Sequence, residues 1–326
     1  MGLWIVTGAN GHLGNLVVRK LVAAGRPVRA LVHERRAALA ELADAPGLSI
    51  GRLDVRDPEA VQRALEGAEG VVHLAARISL DARDGEEMLA TNEGGTHNVV
   101  AACRRSGVRL VHLSSIHAFD PQPTSAAVDE ARPLAIGPDH FVYDRSKALG
   151  EAAVRAAEDL DAVILNPTAM LGPEDHGPSE MGLLVRRLLT RTLPGLVAAD
   201  FDWVDARDVA DQIVRLIERG PRRGRWLLTG TRMGLPELCR AICAAGGVAA
   251  PKMVSPLWLA QATAPFAVGW ARLMKAPPLY TSASLRTLAH YRVVDGRKAR
   301  AELAWSPRPL AQTVADTVAW WRTRLR

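Results

Sequence analysis

The chain is predicted to be α/β, a doubly wound parallel sheet with a smaller C-terminal substrate-binding lid. Three observations predict this. Short apolar runs alternate with helical repeats through residues 1–167. Gly8, Gly11 and Gly14 stand at the first junction between a run and a repeat. Beyond residue 168 prolines and irregular stretches increase, and seven of the eight tryptophans lie past residue 200, so the second half follows a different plan.

Taken in order, Leu3–Thr7 is a short apolar run ending in glycine and reads as a buried strand. Leu13, Leu16, Val17 and Leu21 follow at helical spacing, and Gly25 with Pro27 closes that helix. Val28–Val32 is the second strand and Ser49–Arg52 the third. Pro58–Leu65 is a helix with proline at its start, and Val71–Ala75 the fourth strand. Gly85–Arg105 is helical and stops at Gly107; Leu110–Leu113 is the fifth strand. Tyr143–Leu160 is a helix and Ala162–Leu165 the sixth strand. Later, Trp226–Thr229 is a strand and Leu310–Arg324 a terminal helix. Repeated strand–helix–strand units give parallel strands with right-handed crossovers, and ligands of such sheets bind beyond the carboxyl ends of the strands. Residues 1–167 thus form a dinucleotide-binding domain, to which parts of 200–230 return. Residues 168–326 form mainly the lid and the C-terminal helix.

Composition narrows the function classes. At 326 residues and 48% hydrophobic, the chain makes one large or two unequal globular units. A net charge of +6 comes mostly from scattered arginines, with no basic helix and no aromatic interleaving, which argues against nucleic acid. Cys103, Cys239 and Cys243 give no disulfide framework and fit a reducing, cytoplasmic location; Cys239 and Cys243 read as two packed apolar thiols. Gly2–Thr7 is too short for a secretory core and lacks a basic flank. The most apolar stretch, 256–274, is interrupted by Gln261, Pro265 and Arg272, so no integral membrane segment is expected, while contact with a membrane surface stays open. The nine histidines show no H-x-x-x-H spacing, and no metal site is expected.

The segment Thr7-Gly8-Ala9-Asn10-Gly11-His12-Leu13-Gly14 turns a strand into a helix. Glycines there let the backbone approach a pyrophosphate, and the helix start offers unpaired N–H groups to it. The second strand runs into His33-Glu34-Arg35-Arg36, with no acid at its tip. His33, Arg35 and Arg36 can surround a 2′-phosphate, which favours NADP(H) and leaves NAD(H) open. Asp54, followed by Val55, can accept a hydrogen bond from adenine, while Asp57 suits the helix cap better. Leu74-Ala75-Ala76 keeps the cofactor's resting place small.

Tyr143 and Lys147 are spaced i, i+4 on one helix and share a face. An ammonium beside a phenol stabilises phenolate, so Tyr143 can pass a proton to and from a carbonyl oxygen. Ser115 ends the fifth strand and can hold the reacting oxygen. Asn92 lies inside a predicted helix, where its amide can join a water relay to the lysine.

Together these residues resemble the extended short-chain dehydrogenase/reductase superfamily, of the NAD-dependent epimerase/dehydratase type, over nearly the whole chain. Asn166-Pro167-Thr168 and Trp203-Val204-Asp205-Ala206-Arg207-Asp208-Val209-Ala210 complete the order of motifs. Within the superfamily, Asn166–Pro173 and Tyr143–Lys147 look most like the dihydroflavonol reductase and 3β-hydroxysteroid dehydrogenase branch. The resemblance implies a Rossmann-type fold and a cofactor touched by Asn166, Pro167 and Thr168. It implies Tyr143 as general acid/base, Lys147 as its tuner and a ribose binder, Ser115 as carbonyl anchor, and Asn92 as relay. A homodimer through the helices around 86–106 and 143–160 is the implied default. His12 departs from the aromatic or large apolar residue usual there, and His33 from the usual arginine of NADP-type relatives.

Three functions compete. The first is an NADP(H)-dependent oxidoreductase acting on a ketone or secondary alcohol of a bulky, fairly apolar small molecule. The second is a sugar-nucleotide epimerase or dehydratase with tightly bound NAD; Ile116-His117-Ala118-Phe119 lacks the Asp-Glu pair a dehydratase uses. The third is a non-catalytic NADP-sensing protein, which the presence of both Tyr143 and Lys147 disfavours.

Overall fold

The computed structural model describes residues 2–34, 37–79, 82–177, 179–264, 285 and 293–325. The first half follows the strand–helix alternation element by element: β1 (Leu3–Thr7), α1 (His12–Ala23), β2 (Val28–Val32), β3 (Leu48–Arg52), α2 (Pro58–Ala64) and β4 (Ala68–His73). Next come α3 (Gly85–Leu89), one π turn (Ala90–Gly94), α4 (Gly95–Ser106), β5 (Arg109–Leu113), α5 (Val142–Ala156) and β6 (Ala162–Pro167). The punctuation is local. Gly25 and Gly107 take the left-handed conformation that ends α1 and α4. Asp57 accepts from the N–H groups of Glu59 and Ala60 and so caps α2, leaving Asp54 out of the cap.

Then follow β7 (Ala169–Leu171), α6 (Glu180–Leu189), β8 (Leu196–Val197), β9 (Asp200–Asp205), α7 (Ala206–Arg219), β10 (Gly224–Leu228) and β11 (Thr231–Gly234). The described chain ends with α8 (Leu235–Gly246), β12 (Val254–Ser255), α9 (Arg297–Leu303) and α10 (Leu310–Arg324). Seven strands form one parallel sheet in the order β10-β6-β5-β4-β1-β2-β3. The chain runs outward from β1 to β3, then returns to lay β4 on the other side of β1. That reversal puts the topological switch point between β1 and β4, where such sheets bind ligands.

Strand alternation fills two faces. Trp4, Val6, Ala30, Val72, Val111 and Val163 pack toward α1 and α7. Ile5, Leu31, Val71, Leu110 and Ile164 pack toward α2, α4 and α5, with Cys103 among them. Ala299, Leu303 and Trp305 return from the C-terminal end to the first face. The remaining late elements enclose a separate core of Leu171, Val185, Trp203, Leu238 and Trp321, in which Cys239 and Cys243 are buried free thiols. Trp203, Trp226, Trp305 and Trp321 are all core residues, so these tryptophans build interior rather than a pocket wall. A three-stranded sheet in the order β11-β9-β7 joins this part, its middle strand leading directly into α7. Among the described residues no helix is long and apolar enough to cross a membrane. Of the apolar stretch 256–274, residues 265–274 lie outside the described set.

Candidate functional site

The three glycines of the first turn do three different things. Gly8 has φ +66°, and a Cβ there would lie 2.7–2.8 Å from the backbone of Leu74 and Ala75. Gly14 lies in α1, where a Cβ would lie 2.2 Å from the Gly8 carbonyl oxygen, so the helix rests directly on the turn. Gly11 precedes α1 with ordinary φ, and a Cβ there would meet only the Gly8 oxygen at 3.3 Å. No side chain caps α1 at Gly11. The helix start therefore presents unpaired N–H groups and a partial positive charge to the space beside it. Leu13 is buried under this start and is not part of the groove lining.

That space is a groove of about 370 Å³. Thr7, Gly8, Asn10 and Gly11 line it at one side, Leu74, Ala75 and Ala76 at the other, and His33, Glu34, Asp54, Val55 and Arg56 at its far end. Small side chains and bare helix N–H groups suit a dinucleotide lying across the switch point. Thr7 holds the two walls together. Its hydroxyl accepts from the N–H of Leu74 and of Ala75, both at 3.2 Å, and lies 2.8 Å from His73 Nδ1. The hydroxyl proton then points at Nδ1, so His73 carries its own proton on Nε2, 3.2 Å from Thr96 Oγ1. Thr96 in turn donates to the Asn92 carbonyl at 2.6 Å. Burial keeps His73 neutral, its pKa pushed down to about 3.

Asn10, which lines the groove, and His12 both also hold neighbouring backbone. Asn10 Oδ1 accepts from Ala38 N at 3.0 Å, and His12 Nε2 donates to the Pro173 carbonyl at 2.8 Å. Asn15 extends the same clasp by donating to Glu174 O. His12 thus ties the glycine turn to the segment after β7.

At the adenosine end Asp54 is held by Arg56, whose Nε and Nη2 reach its oxygens at 2.6–3.0 Å. The Arg56 hydrogen bonds keep the carboxyl low, at about 2. His33 Nε2 lies 3.7 Å from the same carboxylate. Arg35 and Arg36 lie outside the described residues.

Ser115, Tyr143 and Lys147 sit one strand further along, at the end of β5 and on α5, beyond the groove lining. The Ser115 hydroxyl accepts from His117 N at 3.2 Å and lies close enough to the Tyr143 phenol to favour its ionised form. Lys147 is buried and donates to the Leu113 carbonyl at 2.9 Å. Desolvation pulls its ammonium down to about 8, against the opposing pull of Glu151. The sequence leads one to expect a depressed phenol; instead burial pushes Tyr143 up to about 12, with the nearby Ser115 hydroxyl opposing and the Asp144 charge adding. The phenol is therefore a well-protonated donor.

Other expected site residues turn inward. Asn92 lies in the π turn rather than in regular helix, and both its amide hydrogens are used, toward Arg77 O at 2.9 Å and Ser146 Oγ at 2.9 Å. Its Oδ1 accepts from Arg77 N, so the side chain pins the segment after β4 onto α5. Asn166 donates to Ser115 O and to Glu151 Oε2, bracing the Ser115 turn from beneath. Pro167 closes β6, and Thr168 donates to Asp202 at 2.6 Å, away from the groove. Three features are not legible in the sequence: the clamp made by Thr7, the hold of Arg56 on Asp54, and the pairing of His117, a candidate extra acid or a plain loop histidine by sequence, with Asp144. Among the described residues no group of three or more His, Cys, Asp or Glu is placed to hold a metal ion.

The profile of the NAD-dependent epimerase/dehydratase family matches residues 4–228. Sterol demethylase protein B of Methylococcus capsulatus is 32% identical, over 98% of this chain and 98% of its own length. Dihydroflavonol 4-reductase of Hordeum vulgare is 32% identical, over 73% of each chain. Among solved structures, a double mutant of DesIV, the dTDP-glucose 4,6-dehydratase of Streptomyces venezuelae, with NAD and DAU bound, superimposes with a TM-score of 0.78. It is 25% identical, and the match covers 98% of this chain and 96% of that one.

Proposed function

From a chain that belongs to the NAD-dependent epimerase/dehydratase family, we propose an NADP(H)-dependent oxidoreductase that interconverts a ketone and a secondary alcohol on a bulky, fairly apolar small molecule. The reading rests on one observation above the others: Ser115 and Tyr143 gather around His117 at the strand end next to the dinucleotide groove, one helical turn from the buried Lys147. A carbonyl oxygen held by Ser115 and Tyr143 takes the phenolic proton as its carbon is reduced. A bound nicotinamide supplies the hydride in that direction and accepts it in reverse. Lys147 adds a cation beside the developing phenolate and a donor for the ribose. Asn92 and Asn166 act as positioning residues, since their amides brace the two segments that carry the chemistry.

The names of the two relatives, a sterol and a dihydroflavonol protein, support a fused-ring, largely apolar substrate. The chain after Ser115 reads Ile116-His117-Ala118, without the acid pair that sugar-nucleotide dehydration needs. NADP(H) is supported by the basic run around His33 and by Arg52 and Arg56 at the same end of the groove. The segments after residue 168 form the substrate side of the site in this reading.

The test is absorbance of the purified protein for bound nucleotide, followed by titration with NADPH and NADH and turnover of bulky ketones. Weak, exchangeable NADPH with ketone-dependent oxidation is expected. Tightly retained NAD that does not exchange would instead mark an epimerase.

A further inference from the structure

His117 lies where both halves of the proposed chemistry meet. Its backbone N–H holds the Ser115 hydroxyl at 3.2 Å. Its ring packs edge-on against Tyr143, with centroids 5.4 Å apart. Its Nδ1 lies 2.9 Å from Oδ1 of Asp144, a carboxylate only 1% exposed. A buried carboxylate accepts from Nδ1–H, which fixes the ring orientation and the tautomer. The imidazole keeps about a fifth of its surface open, so it spans from the phenol toward solvent.

We propose that His117, oriented by Asp144, is the positioning residue that returns a proton to Tyr143 after each reduction. The inference rests on the functional reading above. In that reading Tyr143 gives its O–H proton to the carbonyl oxygen and is left as phenolate. The imidazolium of His117 then gives one proton to the phenolate oxygen, directly or through a water, and regains one from solvent, so the phenol is restored and no electrons move. The structure favours this route over the expected amide relay. Both hydrogens of Asn92 are already donated to Arg77 O and Ser146 Oγ. The Asp144 charge also makes phenolate costly beside it, which favours reprotonation from the same side.

The experiment compares wild type, His117→Gln, Asp144→Asn and Tyr143→Phe in the reduction of 1-decalone by NADPH, with and without added imidazole. Far-UV circular dichroism and NADPH affinity confirm that each variant is folded. His117→Gln is expected to lower kcat about tenfold with KM little changed, and imidazole to restore most of it. Asp144→Asn, which keeps the shape of the pair, is expected to lower kcat as well, by releasing the tautomer. A strut that only supports the loop is not replaced by a diffusible base. Wild-type kcat in His117→Gln, or a slow variant that imidazole leaves slow, overturns the inference while the loss in Tyr143→Phe still upholds the functional reading. Full activity in Tyr143→Phe, or no decalone turnover by wild type, overturns the functional reading and this inference with it.

Discussion

Replacing the three glycines one at a time separates folding from nucleotide binding. In Gly14→Ala the new methyl gains ~1 kcal/mol of helix propensity. Against this, its Cβ would lie 2.2 Å from the Gly8 oxygen and 2.8 Å from Ala9 Cα, both backbone atoms that cannot step aside. Overpacking of that kind costs ~3 kcal/mol, so a net loss of ~2 kcal/mol is expected. Gly8→Ala combines ~1–2 kcal/mol for the left-handed conformation with overlap onto Leu74 and Ala75, for a loss of ~3 kcal/mol or more. Gly11→Ala meets one oxygen at 3.3 Å in an ordinary conformation, so its cost is ~0.5 kcal/mol, that of a poorer helix cap. Gly11 lines the groove, however, so on the proposed reading its methyl crowds the cofactor diphosphate, and NADPH affinity is expected to fall tenfold or more, ~1.4 kcal/mol. Denaturant unfolding without nucleotide gives the first set of numbers, and NADPH fluorescence titration the second. The reasoning fails if Gly11→Ala is as destabilising as Gly14→Ala, or if it binds NADPH as tightly as wild type.

Three further outcomes are expected. Tyr143→Phe keeps NADPH affinity and loses turnover by ~10²-fold or more, measured as ketone-dependent NADPH oxidation. The double substitution Arg35→Ala, Arg36→Ala weakens NADPH more than NADH in paired titrations; equal losses would remove the phosphate assignment. Lys147 titrates near 8 in the folded chain against 10.5 when free, so between those values the unfolded chain binds the extra proton and stability rises with pH. Relative to Lys147→Met, wild type should therefore gain about 3 kcal/mol of unfolding free energy between pH 7 and 10.5, and a flat difference would contradict the burial of the ammonium.

The sequence by itself determined the sheet. Leu3–Thr7, Val28–Val32 and the terminal helix Leu310–Arg324 stand where their periodicity put them, because apolar spacing and turn glycines act over a few residues. The late elements were less legible. Leu196–Val197 and Val254–Ser255 are two-residue strands too short to show a period. The helix Ala206–Arg219 carries a readable signal, Val209, Ile213, Leu216 and Ile217 at helical spacing.

Tertiary structure alone decided the chemistry around the strand ends. It turned Asn92 and Asn166 into braces, because the amides found partners in Arg77, Ser146, Ser115 and Glu151. It raised the phenol instead of lowering it, because burial outweighs what spacing along one helix suggests. It also joined His117 to Asp144 across 27 residues. Local pattern reports which face a side chain takes; which polar group meets it there depends on how distant segments pack, and no periodicity records that.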